Sequence, residues 1–208
     1  MSTGSGASEP RALRRAFVAL VPSAEALDAL EAVVAGAVAA ARRGAVAGVR
    51  WMPRSQWHLT LQFLGRVADA DALVDGLHRA ARDVAPFPVR LGGGGAFPKA
   101  RSGTVLWVGV SEGADAMIEL AGVVVRATGA LGFAAEDRPF RPHLSVARAA
   151  PPTDLRATVA ALAAGLDSDD LSPVWTAGEL VVFESDTLPD GARHTVVARC
   201  AFSPKGAG

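Results

Sequence analysis

The chain has 208 residues, 50% of them hydrophobic and 20% charged, which excludes intrinsic disorder and allows one sizeable core. Twenty-one basic residues offset 21 acidic ones, excluding the global basic field of a protein that coats long nucleic acid. Cys200 is the only cysteine, so no intrachain disulfide can form, and a cytoplasmic location is expected.

Residues 1–12 are small and polar and read as a disordered N-terminal tail. Arg14 and Arg15 precede an apolar run, Ala16 to Val21, that is too short for a signal peptide and ends at Pro22. It reads instead as a buried strand from Arg15. Ser23 caps a long helix ending near Arg43-Gly44, whose apolar stretch from Ala32 to Ala41 is too short to span a bilayer. Val49 to Met52 is a short strand, and His58 to Leu64 a longer one stopped by Gly65. Asp69 or Asp71 caps a helix running to about Val84. Val89 to Leu91 and Thr104 to Val110 are strands, separated by Gly92 to Gly95 and a loop from Phe97 to Arg101. A helix over 114–131, a loop over 135–142 and a strand from His143 to Ala147 follow. Thr153 caps a helix through Leu166, Asp167 to Asp170 is a loop, and Gly178 to Glu184 and Thr195 to Phe202 are the last strands. Residues 204–208 form a flexible tail, leaving 13–203 as a single domain.

This order has no regular βαβ rhythm and no Rossmann fingerprint, so the expected class is α+β, with antiparallel sheet and outer helices. Two segments are near-copies: His58-Leu59-Thr60-Leu61 and His143-Leu144-Ser145-Val146. On a strand, i and i+2 share a face, so each histidine points with its hydroxyl neighbour while the apolar residues point into the core. Two pseudo-symmetric lobes around a central cleft are therefore expected, each contributing one His-x-Thr/Ser motif.

The stretches His58-Leu59-Thr60-Leu61-Gln62-Phe63-Leu64-Gly65 and Arg141-Pro142-His143-Leu144-Ser145-Val146-Ala147-Arg148 resemble the paired signatures of the 2H phosphoesterase superfamily. Within it they are most similar to the RNA 2′,3′-cyclic phosphodiesterases, once described as 2′-5′ RNA ligases. The resemblance extends to Arg15–Leu20, Arg50-Trp51, Phe97-Pro98, Val105–Gly109 and Ser185–Gly191. It implies hydrolysis of 2′,3′-cyclic phosphates at RNA ends or on nucleotides, giving a 2′-phosphate with O3′ as leaving group. Ser145 stands where threonine is commoner, and His194 where the closing segment usually has tyrosine.

The chemistry suits these residues. Water attacking phosphorus must lose a proton and the leaving alkoxide must gain one, and imidazoles exchange protons near neutral pH. His58 and His143 are the expected catalytic pair, with His58 as acid and His143 as base, although the near-symmetry of the motifs leaves that order open. Thr60 and Ser145 are expected to hydrogen-bond the non-bridging oxygens, where charge builds. Arg148 is expected to add a fixed positive charge. As i+5 from His143 it would face away on a regular strand, so it needs a bend to reach in.

No third ligand sits at a zinc spacing, so neither metal nor cofactor is expected. The expected partners are RNA termini or cyclic nucleotides, with no membrane, and the chain is expected to be a monomer. Phe97, Lys99, Arg101, Phe140 and His194 are further candidates for base or RNA contacts. Arg138 and Arg141 either extend a positive rim or solvate a loop. Phe63 and Trp107 are expected in the core, and His78 on a solvated helix face. Gly92 to Gly95 lacks the ending of a phosphate loop and is read as a bulge or close backbone approach. Two rival functions stand beside hydrolysis: ligation through a 2′-5′ linkage, and non-catalytic binding of RNA ends.

Overall fold

A computed structural model describes residues 11–167, 172–188 and 191–203. Positions 1–10 and 204–208 of the expected tails lie outside the described residues. So do positions 168–170 of the Asp167 loop and Pro189-Asp190 of the closing segment.

The strands are β1 (Leu13–Leu20), β2 (Val49–Trp51), β3 (Leu59–Val67), β4 (Phe87–Phe97), β5 (Gly103–Glu112), β6 (Leu144–Thr153), β7 (Trp175–Ala177), β8 (Glu179–Leu188) and β9 (Gly191–Ala201). The helices are α1 (Ala24–Arg43), α2 (Ala70–Ala81), α3 (Ala114–Gly129) and α4 (Arg156–Leu166). Two caps follow the sequence. The Ser23 hydroxyl accepts from the Ala26 N–H at 3.1 Å, and the Asp69 carboxylate from the Ala72 N–H at 2.9 Å. Thr153 is not a cap. It ends β6, and Asp154 instead accepts the Arg156 N–H at 3.1 Å at the start of α4.

Every ladder among the described residues is antiparallel, in the order β7-β4-β5-β6-β3-β1-β8-β9, with β2 on the edge of β6. The fold is α+β, as expected. α2 and α3 pack on the half made by β3, β8 and β9, and α4 with α1 covers the β4–β5 half. β3 and β6 meet where Leu59 pairs with Leu144, and both are fully buried. Past that pair β2 takes over the edge of β6, at Trp51 to Ala147 and Arg50 to Arg148. The two strands that begin at the motifs therefore touch at their starts and then part.

Each of them carries a bulge at the same place. Between Ala19–Thr60 and Val18–Gln62 the ladder takes one step on β1 and two on β3, so Leu61 is an extra residue. Between Trp107–Ser145 and Leu106–Ala147 it takes one step on β5 and two on β6, so Val146 is extra. Consecutive residues then both face inward: Leu61 and Gln62 at 5% and 3% exposure, Val146 and Ala147 at 0%. The buried amide of Gln62 is satisfied, accepting from the Thr128 hydroxyl at 2.8 Å and donating to the Ala134 carbonyl at 3.3 Å.

Two expectations need correction. Gly65 does not stop its strand; with φ +67 it bends a strand that continues to Val67. Gly92 to Gly95 do not separate strands; they lie within β4. They do form a bulge, at Gly93 with φ +66, and a close approach, since a Cβ on Gly95 would meet the Trp107 ring at 2.1 Å. The short strand β7 was not foreseen. Its three residues are too few to show a period. No helix among the described residues is long and apolar enough to cross a membrane.

Candidate active site

His58 and His143 each sit one residue before their strand, on either side of the Leu59–Leu144 pair. Both rings meet the backbone two residues upstream. The His143 Nδ1–H donates to the Arg141 carbonyl at 2.7 Å, and the Gln56 backbone favours the protonated form of the His58 ring. The His143 bond places the proton of its neutral ring on Nδ1 and leaves Nε2 with a lone pair.

Thr60 and Ser145 face the same cleft as the histidines, a cavity of about 460 Å³. Arg148 joins them, because the bulge at Val146 reverses the alternation and turns the fifth residue after His143 inward to the cleft. This is the bend that Arg148 required. Arg15 and Arg50 line the cleft too, and among the described residues no Asp or Glu does. Among the described residues none of these three arginines has a carboxylate partner. A chain of zero net charge therefore concentrates unpaired positive charge in one concavity, where low-dielectric walls strengthen its hold on an anion.

The wall beside His58 is aromatic. Its ring stacks on Phe17 with centroids 4.7 Å apart, Phe17 stacks on Phe183 at 5.1 Å, and His194 stands edge-on at 5.2 Å. Burial there, aided by the neighbouring His194, lowers His58 from an ordinary 6.5 to about 4. Burial also lowers His143, while the Arg141 carbonyl opposes the shift and the Arg141 charge adds to it. His194 is lowered by burial and by Arg15.

These shifts have a measurable consequence for stability. His58 binds its proton less readily in the folded protein than in the unfolded chain, so the unfolded state holds more protons between pH 6.5 and 4. Stability from His58 is complete above pH 6.5 and is lost as pH falls toward 4. Calorimetric melting across that window gives a Tm that falls more steeply in the wild type than in His58→Phe. Identical slopes would contradict the buried-imidazole account.

Of the other sequence candidates, Phe97 and His194 line the cleft, with the Phe97 ring edge-on to His143 at 5.0 Å. Lys99, Arg101 and Phe140 are not among the lining residues. Arg101 lies near Asp154, and Phe140 packs half-buried against the main core. Arg141 lays its guanidinium over the Trp107 ring at 4.4 Å. Trp107 is buried and His78 exposed, as expected. Phe63 is not core: it is 63% exposed and lines the cleft. Arg15, Arg50 and Phe17 were not foreseen at the site, because only strand pairing brings them there. Among the described residues no group of three or more His, Cys, Asp or Glu side chains is placed to hold a metal ion.

A family model described as the 2′-5′ RNA ligase superfamily matches residues 30–188. A protein of Thermus thermophilus named RNA 2′,3′-cyclic phosphodiesterase is 33% identical over 168 residues, covering 76% of this chain and 77% of that one. Another so named, from Aquifex aeolicus, is 34% identical over 102 residues, covering 48% of this chain and 54% of that one. The match thus spans about half the length of the Aquifex relative. Among solved structures, TT0787 of Thermus thermophilus superposes with a TM-score of 0.69 at 25% identity, over 92% of this chain and 100% of that one. Escherichia coli LigT complexed with 3′-AMP has a TM-score of 0.64 at 20% identity, over 91% and 98%, a likeness of fold alone.

Proposed function

From membership of the 2′-5′ RNA ligase superfamily, to which this chain belongs, we propose that it hydrolyses 2′,3′-cyclic phosphates at RNA ends or on nucleotides. One observation carries the reading: two imidazoles and two hydroxyls face one cleft rich in arginines that have no carboxylate partner among the described residues. Three relatives of that name, from different organisms, point the same way.

Water attacks phosphorus in line with the P–O3′ bond, and His143 takes its proton at the free ring nitrogen. The P–O3′ bond breaks as His58 gives a proton to O3′, leaving a 2′-phosphomonoester and a 3′-hydroxyl. Thr60 and Ser145 donate to the non-bridging oxygens, and Arg148 holds their charge. The ligand-free protein keeps His58 neutral, so the incoming phosphodiester anion supplies the charge that stabilises its proton. A proton held on a poorly solvated ring is released readily to the leaving oxygen.

The test is turnover of a short RNA ending in a 2′,3′-cyclic phosphate, with EDTA present and the product isomer identified. The expected result is a single 2′-phosphate product at a rate that EDTA does not change. RNA binding without turnover would leave the protein a binding module. Abolition by EDTA with recovery on adding a divalent cation would replace the two-histidine mechanism.

A further inference from the structure

A second cavity, of about 310 Å³, opens beside the cleft, and Gln56, Ala192 and His194 line both. The Gln56 side-chain amide donates to the Ala192 carbonyl, which ties the shared wall together. Arg193 of β9 lines the second cavity directly, and among the described residues no Asp or Glu does. The ion pair of Arg193 with Asp186, at 3.5 Å between two exposed side chains, is a weak one. It leaves most of the guanidinium N–H groups to other acceptors.

Arg50 reaches the same place from the cleft. It has no carboxylate partner among the described residues, and a Cβ on Gly191, which lines the second cavity, would sit 3.4 Å from its Nη1. Positive charge therefore spans the boundary between the two cavities.

The mechanism above gives a substrate its direction. The P–O3′ bond breaks toward His58, so the ribose that carries O3′ lies on the His58 side of phosphorus. From that ribose an RNA chain runs through C5′ and O5′ to the preceding phosphate, which is always ionised. His194 stands edge-on to His58 at 5.2 Å and belongs to both cavities, so the second cavity adjoins that same side. A free cyclic nucleotide has no such phosphate and leaves the second cavity unused.

We propose that the second cavity receives the phosphodiester linking the terminal nucleotide to the one before it. Arg193 holds this phosphate with Arg50 at the boundary, which makes an RNA end the preferred substrate over a free cyclic nucleotide. This rests on the cyclic-phosphate reading and chooses between the two substrates that reading leaves side by side.

The test measures calorimetric Kd values for three ligands. They are adenosine 2′-monophosphate, the dinucleotide adenylyl-(3′→5′)-adenosine 2′-monophosphate, and that dinucleotide with a neutral methylphosphonate linkage. The charged dinucleotide binds the wild type about 3- to 10-fold more tightly than the mononucleotide, the scale of one partly exposed charged contact. Arg193→Ala removes this advantage and leaves mononucleotide binding unchanged, and the neutral linkage removes it in the wild type. Equal binding of all three ligands by the wild type overturns the subsite. So does an advantage that survives Arg193→Ala or the neutral linkage, or an equal weakening of every ligand in Arg193→Ala. Hydrolysis of adenosine 2′,3′-cyclic phosphate by the wild type, measured alongside, reports on the reaction alone. The subsite and the catalytic reading can therefore fail separately.

Discussion

Replacing either His58 or His143 with alanine lowers kcat on a 2′,3′-cyclic phosphate by about 10²–10⁴-fold. In the proposed mechanism each ring moves one of the two protons that the reaction must move, and among the described residues the cleft offers no carboxylate to take over. The double variant is little worse than either single one, because a general acid and base acting in one step fail together. KM changes modestly, since Thr60, Ser145 and the three arginines remain in the cleft. The pH dependence of kcat/KM separates the roles. With His58 as acid and His143 as base, His58→Ala loses the alkaline limb of a bell-shaped profile and His143→Ala the acid limb. Interchanged limbs would reverse the assignment, and unchanged turnover in both variants would end the two-histidine mechanism.

Thr60→Val and Ser145→Ala each lower kcat by about 10²–10³-fold, the usual loss on removing one preorganised donor to a developing oxyanion. Both hydroxyls share the cleft with the histidines, and the buried residues flanking them hold the backbone in place. Ser145→Thr keeps its rate, because it restores the hydroxyl and adds a methyl. Binding of inorganic phosphate weakens less than kcat falls, since the donors act chiefly where charge builds. A loss confined to KM, with kcat intact, would mean that the hydroxyls serve substrate binding alone.

The two motifs were legible because their alternation is short-range. Leu59, Leu61, Leu144 and Val146 had to be buried, so His58, Thr60, His143 and Ser145 had to face the other way, and they do. The Ser23 cap and the Arg43 end of α1 were equally local and were read correctly. Thr153 shows the limit of such reading: a residue with capping chemistry close to a helix was instead used to end a strand. The glycines of β4 looked like a break between strands, since a strand gains nothing from glycine by itself. Their reason lies in neighbours far along the chain, the Trp107 ring over Gly95 and α4 against Gly94.

The sequence by itself determined which imidazoles and hydroxyls are paired, that they come as two copies, and that the sheet is antiparallel within an α+β fold. Only the tertiary structure decided what stands around them. Strand parity is set by hydrogen-bond register, and one extra residue reverses it for everything downstream. Leu61 and Val146 carry no mark of being that residue. Yet they bring Arg148 to the cleft, take Phe63 out of the core, and set both on the same rim as the histidines. The depressed proton affinity of His58 likewise comes from Phe17, Phe183 and His194, brought together by pairing of β1, β8 and β9 rather than by proximity in the chain. Side-chain identity is written along the chain, whereas field and facing are properties of the neighbours that folding supplies.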